Sequence, residues 1–485
     1  MRINLKLIIS ILGLLIMLNG VFMLLCLPVS IYYDDHDWKA ISISGLVTTV
    51  VGFICWMSFR GAQKDQLRKR EGYLIVSLGW FSMSLFGSLP YIFSGAIPSF
   101  TNAFFETMSG FTTTGASILT DIESVNKGIL FWRSLTQWIG GMGIIVLTVA
   151  ILPLFGIGGM QLFVAEAPGI SPDKLKPRIT DTAKRLWLIY LGLTVLELLL
   201  LWIGGMPFYD SINHALTTMA TGGFSTKNAS IAAYNDPYIQ YVVIIFMMLA
   251  GTNFTITYFG LHGQLKKVWA NEEFRNYLKF TLGITILLSF FVINVADLSY
   301  EESFRATMFQ VVSIITTTGF VTADYTSWTP FLTIIFFMLM FIGASAGSTA
   351  GGVKIVRHII LLKNSFLELK RQVHPAAVLP VRLNHNAISP EITFNVLAFM
   401  IIYLMVFVAG SIIMAAVGLD FETAIGSVAT CLGNIGPGIG EVGPVDNFSN
   451  IPTFGKWFLA FLMLLGRLEL FTVLILFSPH FWSRS

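Results

Sequence analysis

The chain has 485 residues, of which 55% are apolar and 12% charged, and its mean hydropathy is +0.74. A soluble domain carries about 25% charge, so half of the usual polar coat is missing and a soluble enzyme of this length is excluded. The apolar residues gather into runs such as 7–27, 73–93 and 392–417, each long enough for the roughly 20 residues of a bilayer-spanning helix.

In chain order, residues 1–71 read as an opening pair of spans. Arg2 and Lys6 precede the first apolar run in the manner of a signal peptide. No small-x-small cleavage site follows Leu27, and Leu25 before Cys26 is too large for a lipoprotein-type site, so an uncleaved span is expected. Asp34, Asp35, His36 and Asp37 then read as a solvated acidic loop rather than a metal site, and a second span runs from Trp38 to Phe59. Four similar units follow, at 72–180, 181–272, 273–386 and 387–485. Each contains a segment too apolar for an exposed loop and too short to cross a bilayer, at 100–111, 208–220, 300–315 and 419–431. A re-entrant half-helix explains such a segment, because irregular backbone survives at membrane depth only where it is buried in protein or lines a watery cavity. The expected fold is all-α and polytopic: ten transmembrane helices, arranged as four helix, half-helix, helix repeats about one pseudo-fourfold axis plus the N-terminal pair. Cys26, Cys55 and Cys431 all sit in apolar stretches and suit neither a disulfide framework nor a zinc site.

Lysine and arginine crowd into alternate connections: Arg60, Lys64, Arg68, Lys69 and Arg70; Lys174, Lys176, Arg178, Lys184 and Arg185; Lys266, Lys267, Arg275 and Lys279; Lys354 to Arg382; and finally Arg484. The positive-inside rule places these connections and both termini in the cytoplasm. The opposite connections are mostly acidic, so the outer face should gather cations.

The four short segments each end on a related stretch. These are Thr112-Thr113-Thr114-Gly115, Ala220-Thr221-Gly222-Gly223, Thr316-Thr317-Thr318-Gly319 and Gly433-Asn434-Ile435-Gly436, with closing glycines roughly a hundred residues apart. One such tetrapeptide in a chain rich in Gly and Thr carries no weight; four, each just after a half-helix, form an internal repeat. A bare alkali cation needs oxygens in place of its water, and backbone carbonyls supply them without fixed charge. Glycine permits the unusual φ that aligned carbonyls demand. No Asp or Glu lies within the stretches, which suits potassium better than a divalent ion.

This pattern resembles the Trk/Ktr/HKT superfamily of potassium transporters. The extra helix pair and the Gly433-Asn434-Ile435-Gly436-Pro437-Gly438 form of the last stretch resemble its TrkH branch. The resemblance implies that the four stretches form a potassium filter. Family members that pass sodium tend to have Ser in place of the first glycine, and Gly115 here favours potassium, with rubidium also passing. It further implies a bacterial inner-membrane protein that works as a homodimer docked to a cytoplasmic nucleotide-binding regulator of the TrkA type, with no cofactor in this chain and no nucleic acid.

Between Phe336 and Val356 a span is interrupted by Gly343, Gly347, Gly351 and Gly352 among Ala, Ser and Thr. Residue spacing alone leaves helix packing through small residues and a helix break both open. The resemblance implies an intramembrane loop that obstructs the pore beneath the filter. Arg467 lies in the last span, where an unpaired charge costs at least about 2.5 kcal/mol. Facing the pore at about 6 Å, with an effective dielectric near 20, it would repel a potassium ion by on the order of 3 kcal/mol. Lys354 reads as a cytoplasmic anchor. Two other functions are weighed. A membrane-embedded metal-dependent enzyme lacks any His-Glu-x-x-His spacing or phosphate loop. A secondary carrier coupled to protons or sodium could use Glu197 and Glu469, but four repeats of one orientation differ from the inverted pairs common in carriers.

Overall fold

The computed structural model describes residues 3–61, 67–143, 179–375, 377–384 and 386–483. The expected cytoplasmic Lys64, Lys174, Lys176, Arg178 and Arg484 lie outside the described residues, as does Arg2. The chain is predominantly helical; among the described residues the sole sheet is a two-stranded hairpin, Arg382–Leu383 with Asn386–Ala387.

Six described helices are long and apolar enough to cross a membrane, and two bent pairs bring the number to eight. Ten spans are therefore not reached among the described residues. The helix Lys127–Gly141 runs towards residues that are not described, and Pro330–Leu339 has only 10 residues before the backbone leaves the helix. The bent pairs are Pro237–Ala250 with Phe254–Leu261, at 111°, and Thr453–Arg467 with Phe471–Phe477, at 112°.

Large apolar residues face outward on the long helices, as with Ile43, Leu46, Val50 and Phe53 on Trp38–Phe59 and Ile401, Leu404, Met405 and Val408 on Pro390–Ala416. The interior, by contrast, buries many hydroxyls around the four short segments. That inversion is what a lipid solvent requires. Leu5–Leu24 and Trp38–Phe59 pack with backbones nearly touching: a Cβ at Gly13 would stand 2.6 Å from the Trp56 nitrogen, and one at Gly20 2.6 Å from the Thr49 nitrogen. Where lipid is as apolar as the helices, such close packing by small residues supplies the association.

The loop joining these two helices differs from expectation. Asp37 is 2% exposed. It accepts the Ser30 hydroxyl and, at 3.1 Å, the Ile129 amide; Asp35 accepts the amides of Lys127 and Gly128 at 2.8 and 3.3 Å. Asp34 and His36 are exposed, as a solvated loop requires, but Asp35 and Asp37 are not free in it. These two cap the N-terminus of Lys127–Gly141 from another hairpin, where carboxylates satisfy free amides and the helix dipole.

The four half-helices are Phe100–Phe111, Phe208–Met219, Tyr300–Ile315 and Phe421–Gly433. The loops after them join in a closed circuit. Ile122 donates to Asn228 Oδ1 at 2.7 Å, Ala232 to the Val321 carbonyl at 3.0 Å, Tyr325 to the Gly438 carbonyl at 2.7 Å and Phe448 to the Ser117 carbonyl at 2.8 Å. First meets second, second third, third fourth and fourth first, so all four lie at one end of the molecule.

Candidate functional site

Each half-helix ends in the same backbone manoeuvre. The residue before the closing glycine donates its amide to the carbonyl five residues earlier: Thr114 to Ser109, Gly222 to Thr217, Thr318 to Ser313 and Ile435 to Thr430. The residue before that adopts left-handed backbone in all four, with φ of 54° at Thr113, 52° at Thr221, 55° at Thr317 and 53° at Asn434. The glycines follow at 82°, 74°, 79° and 103°. A β-branched residue in the left-handed region is an outlier that the surrounding structure must hold. Sequence reading anticipated the glycine and missed this position, since Thr carries no propensity for it.

Two left-handed residues flanking an ordinary one reorient successive carbonyls over a very short length. The side chains support the turn: Thr112 and Thr316 donate to the carbonyls of Met108 and Val312 at 2.6 and 2.7 Å, and each lies 2.8 Å from the hydroxyl of Thr114 or Thr318. In the fourth stretch Asn434 replaces a hydroxyl with an amide that reaches Thr114 Oγ1 and the Met463 carbonyl, both at 2.9 Å. Ala220 and Gly433, at the start of their stretches, are buried, whereas the closing Gly115 and Gly223 are partly exposed.

The four stretches meet around one centre. A Cβ at Gly115 would overlap the carbonyl of Gly222, one at Gly223 that of Thr318 and one at Gly319 that of Ile435; at Gly436 it would stand 2.9 Å from that of Thr114. Each glycine thus sits against the residue preceding the next repeat's glycine, and the cycle closes. A cavity of about 90 Å³ opens on all four glycines. Gln137, on Lys127–Gly141, grips the second stretch from behind, donating to the Gly222 carbonyl at 2.6 Å and accepting the Phe224 amide at 3.0 Å. In the loop after the first half-helix Asn228 beside Asp121, and at the start of the fourth half-helix Thr423 beside Asp420, hold those exposed carboxyls below the usual range; like any such carboxylate they are ionised near neutral pH.

Directly against the stretches lies irregular backbone between Pro330–Leu339 and Ile355–Val373. Its four glycines occupy different places. Gly343 closes the neck, donating to the Val353 carbonyl at 2.7 Å. Gly351 reaches the centre: its amide donates to Thr317 Oγ1 at 2.7 Å, and a Cβ there would stand 2.7 Å from the Gly433 carbonyl. Gly352 follows with φ of 65°. Gly347, with φ of 74°, is exposed and abuts Asn253 at the first helix bend. Thr349, which the sequence reading passed over, donates to the carbonyls of Met219 and Ala250 at 3.0 and 3.2 Å, and Glu273 accepts the Ala346 amide at 2.7 Å.

Arg467 ends its helix rather than lying inside a continuous span. Glu469 and Leu470 take φ of 52° and 59°, which breaks the helix at this point. The guanidinium donates to the carbonyls of Thr349 and Gly141 at 2.9 Å each, to that of Gly140, and to Thr113 Oγ1 at 3.3 Å. It therefore ties the loop, the first stretch and the end of Lys127–Gly141 together. Glu469 pairs with Arg357 on the helix leaving the loop, while Glu197 is fully buried elsewhere. Lys354 is also buried, with its ammonium on the Ala350 carbonyl, and so is part of the loop rather than a surface anchor.

The family model for TrkH, described as a cation transport protein, matches residues 37–484. The Trk system potassium uptake protein TrkH of Salmonella typhimurium is 43% identical over 477 residues, covering 97% of this chain and 98% of that one. That of Halomonas elongata is 38% identical over 484 residues, covering 99% and 100%. The crystal structure of the potassium transporter TrkH from Vibrio parahaemolyticus superimposes with a TM-score of 0.89 at 37% identity, covering 99% of this chain and 100% of that one.

Proposed function

The chain belongs to the TrkH family of cation transport proteins and is a transporter, not an enzyme; from that premise we propose that it takes up potassium across the bacterial inner membrane through a channel-like pore. The relatives named above are potassium uptake proteins. The observation that carries the reading is the closed cycle in which each repeat's glycine sits against the residue preceding the next one.

In this reading residues 112–115, 220–223, 316–319 and 433–436 form the selectivity filter, built by units 72–180, 181–272, 273–386 and 387–485 about a pseudo-fourfold axis behind the pair 1–71. Ten spans leave both termini in the cytoplasm. Neutral oxygens replace the water of potassium or rubidium, and the ionised carboxylates of the loop ring concentrate cations at the outer mouth. Residues 343–352 and Arg467 form the gate: the loop obstructs the path beneath the filter, and the guanidinium adds a cationic barrier while latching the loop to its neighbours. Its four acceptors supply the hydrogen bonds that make a charge tolerable at this depth. The protein acts as a homodimer with a cytoplasmic nucleotide-binding regulator of the TrkA type. The basic helix Ile355–Val373, which exposes Leu362, Phe366, Leu369 and Val373 along one side, suits such docking and continues directly from the gate loop.

Voltage-clamped currents from the purified protein in bilayers test this. Steady current in potassium that reverses at the potassium equilibrium potential, is retained in rubidium and is much reduced in sodium is the expected result. A reversal potential that moves with the pH gradient would overturn the channel in favour of a coupled carrier.

A further inference from the structure

Aligned on their closing glycines, the four half-helices place Glu106, His214, Gln310 and Ser427 at one equivalent point, nine residues before Gly115, Gly223, Gly319 and Gly436. All four are buried. In three repeats this side chain crosses to the limb by which its own stretch leaves the glycine. Glu106 accepts the Ser117 hydroxyl at 2.9 Å and the Ile118 amide at 2.8 Å. His214 Nδ1 lies 2.8 Å from the Asp210 carbonyl, so that nitrogen carries the proton, and Nε2 accepts the Ser225 hydroxyl at 2.9 Å. Gln310 donates to the Thr322 hydroxyl at 3.3 Å. Ser427 instead turns back on its own helix and donates to the Ala424 carbonyl at 3.2 Å.

The first two of these braces are joined by Arg133, which is 2% exposed. Its Nε pairs with Glu106 at 2.7 Å and its Nη1 donates to the Ser225 carbonyl at 3.0 Å, while the guanidinium lies 3.5 Å from the centre of the Phe224 ring. Arg133 also lines the cavity above the glycines. A continuous chain Glu106, Arg133, Ser225, His214 therefore runs from the first half-helix to the second behind the site. A buried ion pair gains little stability over an apolar pair of equal volume, because desolvating both charges offsets their attraction. What it supplies here is direction, since a guanidinium is a rigid fork able to hold two acceptors at a fixed separation.

We infer that Glu106, Arg133 and His214 are positioning residues that fix the spacing of the first two filter strands and thereby set how strictly the pore rejects sodium. The inference rests on the filter reading above. A ring of neutral oxygens discriminates between two alkali ions by the number, field and spacing of those oxygens, and a strand free to close in accommodates the smaller ion. Repeat four carries the converse pattern: its brace residue does not reach the limb, and a Cβ at its glycine would stand farther from the neighbouring carbonyl than in the other three, at 2.9 Å.

The test is sodium competition against labelled rubidium uptake by the full-length protein in liposomes, normalised to each variant's own flux. Arg133→Lys keeps the charge beside Glu106 and loses the fork to Ser225; Ser225→Ala and His214→Leu each remove one end of the second brace. Each should raise sodium competition about fivefold, and the double variant Ser225→Ala with His214→Leu should be no worse than either single change. His214→Gln, which installs the amide found in repeat three, should bring competition back to within about twofold of the parent. A merely structural role would lower insertion or flux and leave the ratio alone. Unchanged competition in Arg133→Lys and Ser225→Ala, or equal damage from His214→Gln and His214→Leu, overturns the inference. Should His214→Leu fail to insert, the other two variants decide, since they remove little volume. Gly115→Ser is measured alongside. If it loosens selectivity while the brace variants do not, the braces alone are refuted; if it too changes nothing, the filter reading falls.

Discussion

The first three of the proposed filter strands and the fourth are built to different specifications. Strands one to three have brace residues that reach their limbs, and their glycines press on the neighbouring carbonyl too closely for any side chain. Strand four has a brace residue bonded only to its own helix, a glycine at φ of 103°, and Asn434 where the others have threonine. Gly351 of the loop meets it as well as strand three, and its unit supplies Arg467. On the proposed function, the difference divides rigidity from movement. Selectivity asks for strands that do not yield, and gating asks for contacts that can be exchanged. The loop is held by hydrogen bonds from several units, each worth about 0.5 to 1.5 kcal/mol net and somewhat more where the Arg467 charge takes part, so they can be exchanged a few at a time.

The largest effect should come from the proposed gate. Arg467→Ala removes the proposed barrier charge and four donated hydrogen bonds together, and labelled rubidium uptake should rise by about tenfold or more, within the roughly hundredfold that the charge alone allows. Unchanged uptake would break the comparison at its centre. On the rigid side, Gly115→Ser forces a side chain onto the Gly222 carbonyl at a left-handed φ, and the potassium over sodium preference should fall by about tenfold. Gly436→Ser meets its neighbouring carbonyl less closely and should cost only a few-fold. Equal losses would show that the four strands are equivalent after all. Thr349→Val removes the hydroxyl bonds to Met219 and Ala250 and spares the carbonyl that Arg467 holds, so uptake should rise only about two- to threefold. Smallest for transport is Asp35→Ala, which uncaps Lys127–Gly141. About 1 kcal/mol of stability should be lost, read as a lower midpoint of thermal unfolding, with the ion preference unchanged.

Much of this was legible beforehand because it lay in local chemistry. The scarcity of charge announced the membrane, and the recurrence of Gly115, Gly223, Gly319 and Gly436 after short apolar segments announced the internal repeat, since only glycine tolerates both that backbone and that crowding. The interruption at Gly343 to Gly352 was visible as a run no helix favours. Less legible were residues whose meaning depends on a distant partner. Glu106, Arg133 and Gln137 are ordinary letters in the chain, although an Arg and a Glu in apolar segments are a signal of function that could have singled them out. Asp35 and Asp37 read as solvated because nothing nearby in sequence reveals the helix terminus they cap. Thr349 was one hydroxyl among several.

The sequence by itself thus determined the solvent, the repeat and the positions where backbone must bend, because hydropathy and glycine act over a few residues. Only the tertiary structure decided which glycine meets the centre, where the helix of Arg467 ends, which oxygens receive its guanidinium and how one repeat leans on the next. Those outcomes depend on directional contacts between segments far apart in the chain, from 34 residues for Gly351 and Thr317 to 354 for Arg467 and Thr113, and a hydrogen bond exists only once geometry has placed both of its ends.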